Sequence, residues 1–134
     1  MKNLKIIFST VFLVIIFTHA KAQSSSSLIG QWKTTYEVEG EKIHVNYQFK
    51  NINGKLLCRT LSLKDDKGNE KAYNAIVMSD IQLKNGNGKA KYILKYEGET
   101  YEVIATLKLI KLNTLEVSYS YYGYSDTEVW KRVD

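Results

Sequence analysis

Beyond its first two dozen residues the chain alternates apolar and polar side chains almost continuously, and it contains no proline. Ile43, Val45, Tyr47 and Phe49 interleave with His44, Asn46, Gln48 and Lys50. Successive strand side chains point to opposite faces, so such a segment has one apolar face and one wet face. The signature recurs at Trp32, Thr34, Tyr36, Val38, at Ala90 to Tyr96, at Tyr101 to Leu109 and at Leu115 to Tyr121. No helical period of useful length competes with it, so the class is all-β.

The breaks fall where turn chemistry puts them. Asn53-Gly54 is the strongest hairpin signal, because both central positions of a type I′ turn need positive φ. Glu39-Gly40, the Asp65 to Asn69 run, Asn85 to Gly88, Glu97-Gly98 and Tyr122-Gly123 supply the others. The spacing predicts about eight strands over 29–38, 42–50, 55–63, 72–78, 89–96, 100–109, 114–121 and 126–133, with 79–84 extending or following the fourth. Short connections make sequential strands antiparallel neighbours. A flat meander of eight would expose two edges, which closure into an up-and-down barrel removes. A β-sandwich is the alternative, but its crossings need longer connections.

The first residues read as an export signal. Lys2 and Lys5 precede an apolar run from Ile6 to Phe17, and His19-Ala20-Lys21-Ala22 places small residues before a cleavage site at Gln23. That run has 12 residues, against about 20 needed to span a bilayer core, so no membrane span is expected after cleavage. The reading is a signal peptide over 1–22, a Ser-rich flexible lead-in over 23–28 and one barrel domain over 29–134, in a periplasm or outside the cell. The leader takes three of the 19 basic residues and none of the 14 acidic ones, so the exported 112 residues carry +2 rather than +5. Without an Arg-rich stripe, nucleic acid is not an expected partner. Cys58, the single cysteine, falls in an apolar strand and reads as a buried, inert thiol.

Two landmarks bracket the domain: Gly30-Gln31-Trp32 at one end and Trp130-Lys131-Arg132 at the other. A Gly-x-Trp opening the first strand of a meander, with an arginine ending the last, is similar to lipocalins and their calycin relatives. The resemblance implies that Trp32 closes the narrow end of the barrel and that Arg132 stacks across it. It is closer to a group of short exported bacterial domains of unknown function. Their pattern is matched here by Leu28-Ile29-Gly30-Gln31-Trp32, Gly98-Glu99-Thr100-Tyr101, Leu115-Glu116-Val117, Gly123 and Trp130-Lys131-Arg132. The middle of the chain, 64–88, lacks that group's Asn-Pro segment. On this resemblance Gly30, Trp32, Trp130 and Arg132 are structural closure residues. A shared fold brings no activity with it.

Catalytic chemistry finds little purchase. His44 is the one histidine after the leader, has the parity of the wet face, and has no serine or cysteine placed beside it. One His and one Cys do not make a zinc site. The acids of Asp65 to Glu70 lack the alternating spacing of a calcium loop, and Gly86-Asn87-Gly88 has no helix behind it to cradle phosphate. The expectation is a non-enzymatic domain without cofactor or metal.

Tyrosine is the unusual residue. All ten follow the leader, and Tyr36, Tyr47, Tyr92, Tyr96, Tyr101, Tyr119 and Tyr121 share the apolar parity of their strands. Their rings either fill the barrel, which eight strands permit, or line a pocket for a small ligand. Arg59 shares parity with Leu57, Leu61 and Leu63, so it either faces the interior and seeks an anionic or hydroxyl partner or lies outside in water. Tyr47, Arg59, Tyr92, Tyr101 and Tyr119 are thus the candidate lining residues for a small apolar or anionic ligand. Tyr122 and Tyr124, flanking the last turn, are candidate contacts for an envelope protein if the barrel is filled and serves as an interaction or inhibitor module.

Overall fold

The computed structural model describes residues 24–96 and 98–133. The expected signal peptide lies outside the described residues. Eight strands follow in order: β1 (Gly30–Val38), β2 (Glu41–Ile52), β3 (Lys55–Asp65), β4 (Glu70–Lys84), β5 (Asn87–Tyr96), β6 (Glu99–Ile110), β7 (Thr114–Tyr121) and β8 (Tyr124–Val133). Each pairs antiparallel with the next, and β8 returns to β1 to close the barrel, which excludes the sandwich. The segment 79–84 belongs to β4, whose ladder absorbs it through register shifts next to Ser79.

The hairpins obey the turn chemistry. Glu39-Gly40, Asn53-Gly54, Asn85-Gly86 and Tyr122-Gly123 all hold both central residues at positive φ, the type I′ condition that matches the twist of the flanking strands. Gly88 is required for a different reason: a Cβ there would lie 1.8 Å from the Gln82 carbonyl oxygen, where the bulged β4 backbone crosses close to β5.

The expected flexible lead-in is instead ordered where it meets the barrel. Ser25–Leu28 forms one 3-10 turn that plugs the end where β1 begins and β8 finishes. Leu28 is fully buried, Ser25 Oγ accepts from the Leu83 backbone N–H, and Trp32 Nε1 donates to the Leu28 carbonyl. An apolar anchor and satisfied polar groups outweigh the low complexity of the serine run. Above Trp32 lies the Arg132 guanidinium, 4.4 Å from the ring centroid. It donates to the carbonyls of Ser27, Ile29 and Leu112, so one side chain ties the plug, β1 and the β6–β7 turn. Gly30 makes room for it, since a Cβ at that position would sit 2.8 Å from Arg132 Nη1.

Inward-facing rings fill the middle of the barrel. Tyr47 stacks on Trp130 at 4.0 Å, Phe49 meets Trp32 edge-on at 6.3 Å, and Met78, Leu107, Val117 and Cys58 complete the packing. Burial pushes the Cys58 thiol well above its ordinary value.

Candidate functional site

Three inward tyrosines come from three strands: Tyr36 from β1, Tyr47 from β2 and Tyr92 from β5. The hydroxyls of Tyr36 and Tyr92 meet the carboxylate of Glu128 on β8, which is only 7% exposed, and that of Tyr47 joins them through Tyr36. Tyr36 donates to Glu128 Oε1 at 2.5 Å, Tyr92 to the same oxygen at 3.0 Å, and Trp130 Nε1 at 3.0 Å. A phenol has one proton, and that of Tyr36 goes to the carboxylate. The 2.8 Å contact between Tyr47 and Tyr36 is therefore donated by Tyr47. The result is a converging network in which every donor has an acceptor, the condition under which buried polar groups are tolerated. Burial, and then the neighbouring phenols and the Glu128 carboxylate, push the Tyr36 hydroxyl far above its ordinary range. Tyr47 and Tyr92 move the same way, again chiefly through burial.

Glu128 was not among the expected site residues. Its signal was present: it shares strand parity with Trp130 and Arg132, so a carboxylate stood on an apolar face. That parity is where a buried, partnered acid should be sought.

Toward the open end two seams lack backbone pairing. Between β6 and β7 the ladder runs from Ile110↔Thr114 to Thr106↔Ser118 and stops there, although β6 continues to pair with β5 up to Glu99. Between β1 and β8 it covers Gln31 to Lys33 alone. Above that level side chains bridge instead, through Thr34 Oγ1 to the Val129 carbonyl and Tyr36 to Glu128. The outer half of the β7–β8 hairpin is thus a flap paired to neither neighbour.

An open groove of about 860 Å³ lies along the β6–β7 seam. Tyr119 and Tyr121 enter it from the inner parity, Ser118, Ser120, Ser125 and Thr127 from the outer face, and Glu102 and Asp126 supply carboxylates. Tyr119 meets Tyr92 edge-on at 5.6 Å and so forms the wall between groove and buried cluster. Its hydroxyl is raised by burial and by Glu128. Tyr101 packs against Tyr121 at 4.7 Å and donates to Glu99 at 2.6 Å, a bond that pushes its phenol up to about 12.

The structure therefore brings together three of the five expected lining residues, Tyr47, Tyr92 and Tyr119, and places Tyr101 apart from them against Tyr121. Tyr47 and Tyr92 lie in the buried cluster, Tyr119 at its wall and Tyr101 at the rim. Arg59 is the correction. Its strand neighbours Cys58 and Thr60 are buried, paired to Phe49 and Tyr47, so alternation turns Arg59 outward. There it donates to Gln48 Oε1 at 2.9 Å and Asn74 Oδ1 at 3.0 Å. The parity with Leu63 fails because a bulge between Thr60 and Ser62 returns Leu63 to the inner side, opposite Val45. Tyr122 and Tyr124 stand at the hairpin tip, 92% and 63% exposed. His44 bonds Thr35 and Asp66 on the outer face, and no cluster of three metal-ligating side chains occurs among the described residues.

The class of protein that fold and site define is a small closed antiparallel β-barrel, plugged at one end and laterally open at the other. No protein-family model matches the chain, and no curated protein matches it.

Proposed function

We propose that this is an exported, non-enzymatic barrel that binds a small ligand at its open end. The observation that carries the reading is the break in the β6–β7 ladder. It leaves Tyr119 and Tyr121 beside a groove instead of beneath a continuous sheet. Aromatic faces with hydroxyls and the Asp126 carboxylate suit a neutral, hydroxyl-bearing or cationic molecule, while Glu102 is engaged by Lys91. The anionic ligand expected from the sequence loses its support, since Arg59 faces away and the groove's formal charges are acidic. Tyr119 and Tyr121 serve as stacking faces, while Ser120, Ser125 and Asp126 fix orientation.

The test is native mass spectrometry of the protein purified gently from its own cells. An added small-molecule mass, lost in a Tyr119→Ala/Tyr121→Ala variant that still folds, supports the reading; a bare mass from wild type refutes it. The same spectrum reports whether the chain begins at Gln23.

A second reading rests on the tip. Tyr122 and Tyr124 are large, exposed and adjacent, a pairing suited to a protein contact. A pull-down of one reproducible partner, abolished by Tyr122→Ser/Tyr124→Ser, would favour it over ligand binding.

A further inference from the structure

Charge is distributed unevenly along the barrel axis. Around the plugged end Lys33 and Lys131 face each other in register across β1 and β8. Lys50 and Lys55 flank the β2–β3 turn, and Lys84 and Lys89 the β4–β5 turn. Lys108 and Lys111 add to the same end at the β6–β7 connection, and all eight are exposed. None forms an ion pair among the described residues, whose ion pairs involve Lys91 and His44. Among the described residues the carboxylate at this level is Glu116, in register with Lys108. At the open end, by contrast, Glu37, Glu39, Glu41, Asp65, Asp66 and Glu70 occupy the β1–β2 and β3–β4 hairpins, interspersed with lysines.

Two aliphatic side chains protrude within the basic ring. Ile29 is 42% exposed and Leu112 46%. Arg132 bonds both of their carbonyls, at 2.9 and 2.8 Å, which holds the two residues at one place on the end of the barrel. Leu112 is moreover at φ +63°, a conformation a γ-branched side chain adopts only at a cost. Lysines that form no ion pair among the described residues, around a small apolar tip, complement an anionic lipid headgroup layer above acyl chains. A soluble polyanion would use the lysines and leave the two aliphatics without a role.

We infer that the plugged end docks on an anionic phospholipid surface, with the lysine ring against the headgroups and Ile29 and Leu112 entering the interface. The groove at the opposite end then faces away from the bilayer.

Co-sedimentation with vesicles of about 30% phosphatidylglycerol in phosphatidylcholine tests this, using the chain as isolated from its cells. Binding is expected there and not to pure phosphatidylcholine, with release at about 0.5 M salt, where the screening length is a few ångströms. Each lysine near the surface is worth roughly five-fold in partitioning, so Lys55→Gln/Lys84→Gln/Lys111→Gln should lower it about 100-fold. Leu112→Asn, which suits the left-handed backbone and keeps the fold, should weaken binding further without altering its salt dependence. Glu37→Gln/Glu39→Gln should leave it unchanged. Equal binding to neutral vesicles, undiminished binding of the triple lysine variant, or capture by a sulfated polysaccharide with no vesicle binding would each overturn the inference.

Discussion

At the plugged end of the barrel the β1–β8 and β6–β7 ladders are closed, and Arg132 caps them by bonding three carbonyls from separate segments. At the open end the β1–β8 seam is bridged by side chains, chiefly through a carboxylate that also gathers a phenol from β5 and an indole, and across the β6–β7 seam Tyr101 packs on Tyr121. One end is held by directional backbone bonds plus aromatic burial; the other depends on a few polar groups remaining in one protonation state. The difference separates the part of the molecule that fixes the fold from the part free to admit something. Regions with fewer backbone bonds open at lower free energy, and binding elements are drawn from them.

The largest test of this contrast is alkaline titration. Tyr36, Tyr47 and Tyr92 have phenols raised by burial in the folded state, so the folded protein keeps protons that the unfolded chain releases above about pH 10. The sign follows: their contribution is complete below pH 10 and lost as pH rises beyond it. The slope is about 1.4 kcal/mol per pH unit for each phenol that stays neutral. Ultraviolet absorbance of phenolate should therefore show these three ionising together with loss of the near-UV circular dichroism. Stepwise ionisation in an intact barrel would mean the cluster is open to solvent.

Trp32→Ala is the next largest. Removing a fully buried indole, together with the platform for Arg132, should cost about 3–5 kcal/mol in chemical denaturation. Tyr121→Ala, at the seam and half-buried, should cost no more than about 1 kcal/mol. Comparable losses at the two positions would erase the distinction between the ends.

Glu128 sharpens it further. Glu128→Leu removes the acceptor for Tyr36, Tyr92 and Trp130 and should destabilise by roughly 2–4 kcal/mol, because buried donors are left without partners. Glu128→Gln keeps one acceptor oxygen and should lose less. Amide exchange should then accelerate in Tyr36 to Val38 and in Tyr119 to Ser125 before it does around Trp32, since the carboxylate pins the flap.

The strand order, closure and hairpin positions were legible because period two and type I′ turns are local properties of the chain. Asn53-Gly54 and Asn85-Gly86 behave as their sequences require. Arg59 was ambiguous because facing follows register, and a single bulge near Leu61 reversed the parity of everything beyond it. The unpaired seams were not legible at all. Nothing in Val103 or Tyr119 says whether their backbones meet, since that depends on how barrel curvature distributes eight strands. Glu128 lay between these cases: its inward parity was visible, while its partners come from residues 36 and 92 far away in sequence.

Each end also holds an aliphatic or aromatic side chain in left-handed backbone, Leu112 at φ +63° near the plug and Tyr122 at φ +44° at the flap tip. Both are well exposed, so little burial offsets the strain of a Cβ in that region. Asn tolerates the conformation better, and Leu112→Asn and Tyr122→Asn should each raise stability by about 0.5–1 kcal/mol, measured as a higher denaturant midpoint. Because the two sites lie at opposite ends, the gains should add in the double variant. A residue kept against local preference at a solvent-exposed position points to use rather than packing. On that basis Leu112→Asn should weaken contact at the plug while Tyr122→Asn affects only the flap. A loss of stability from either change would show that the side chain serves the barrel itself, and the functional reading of that end would fall with it.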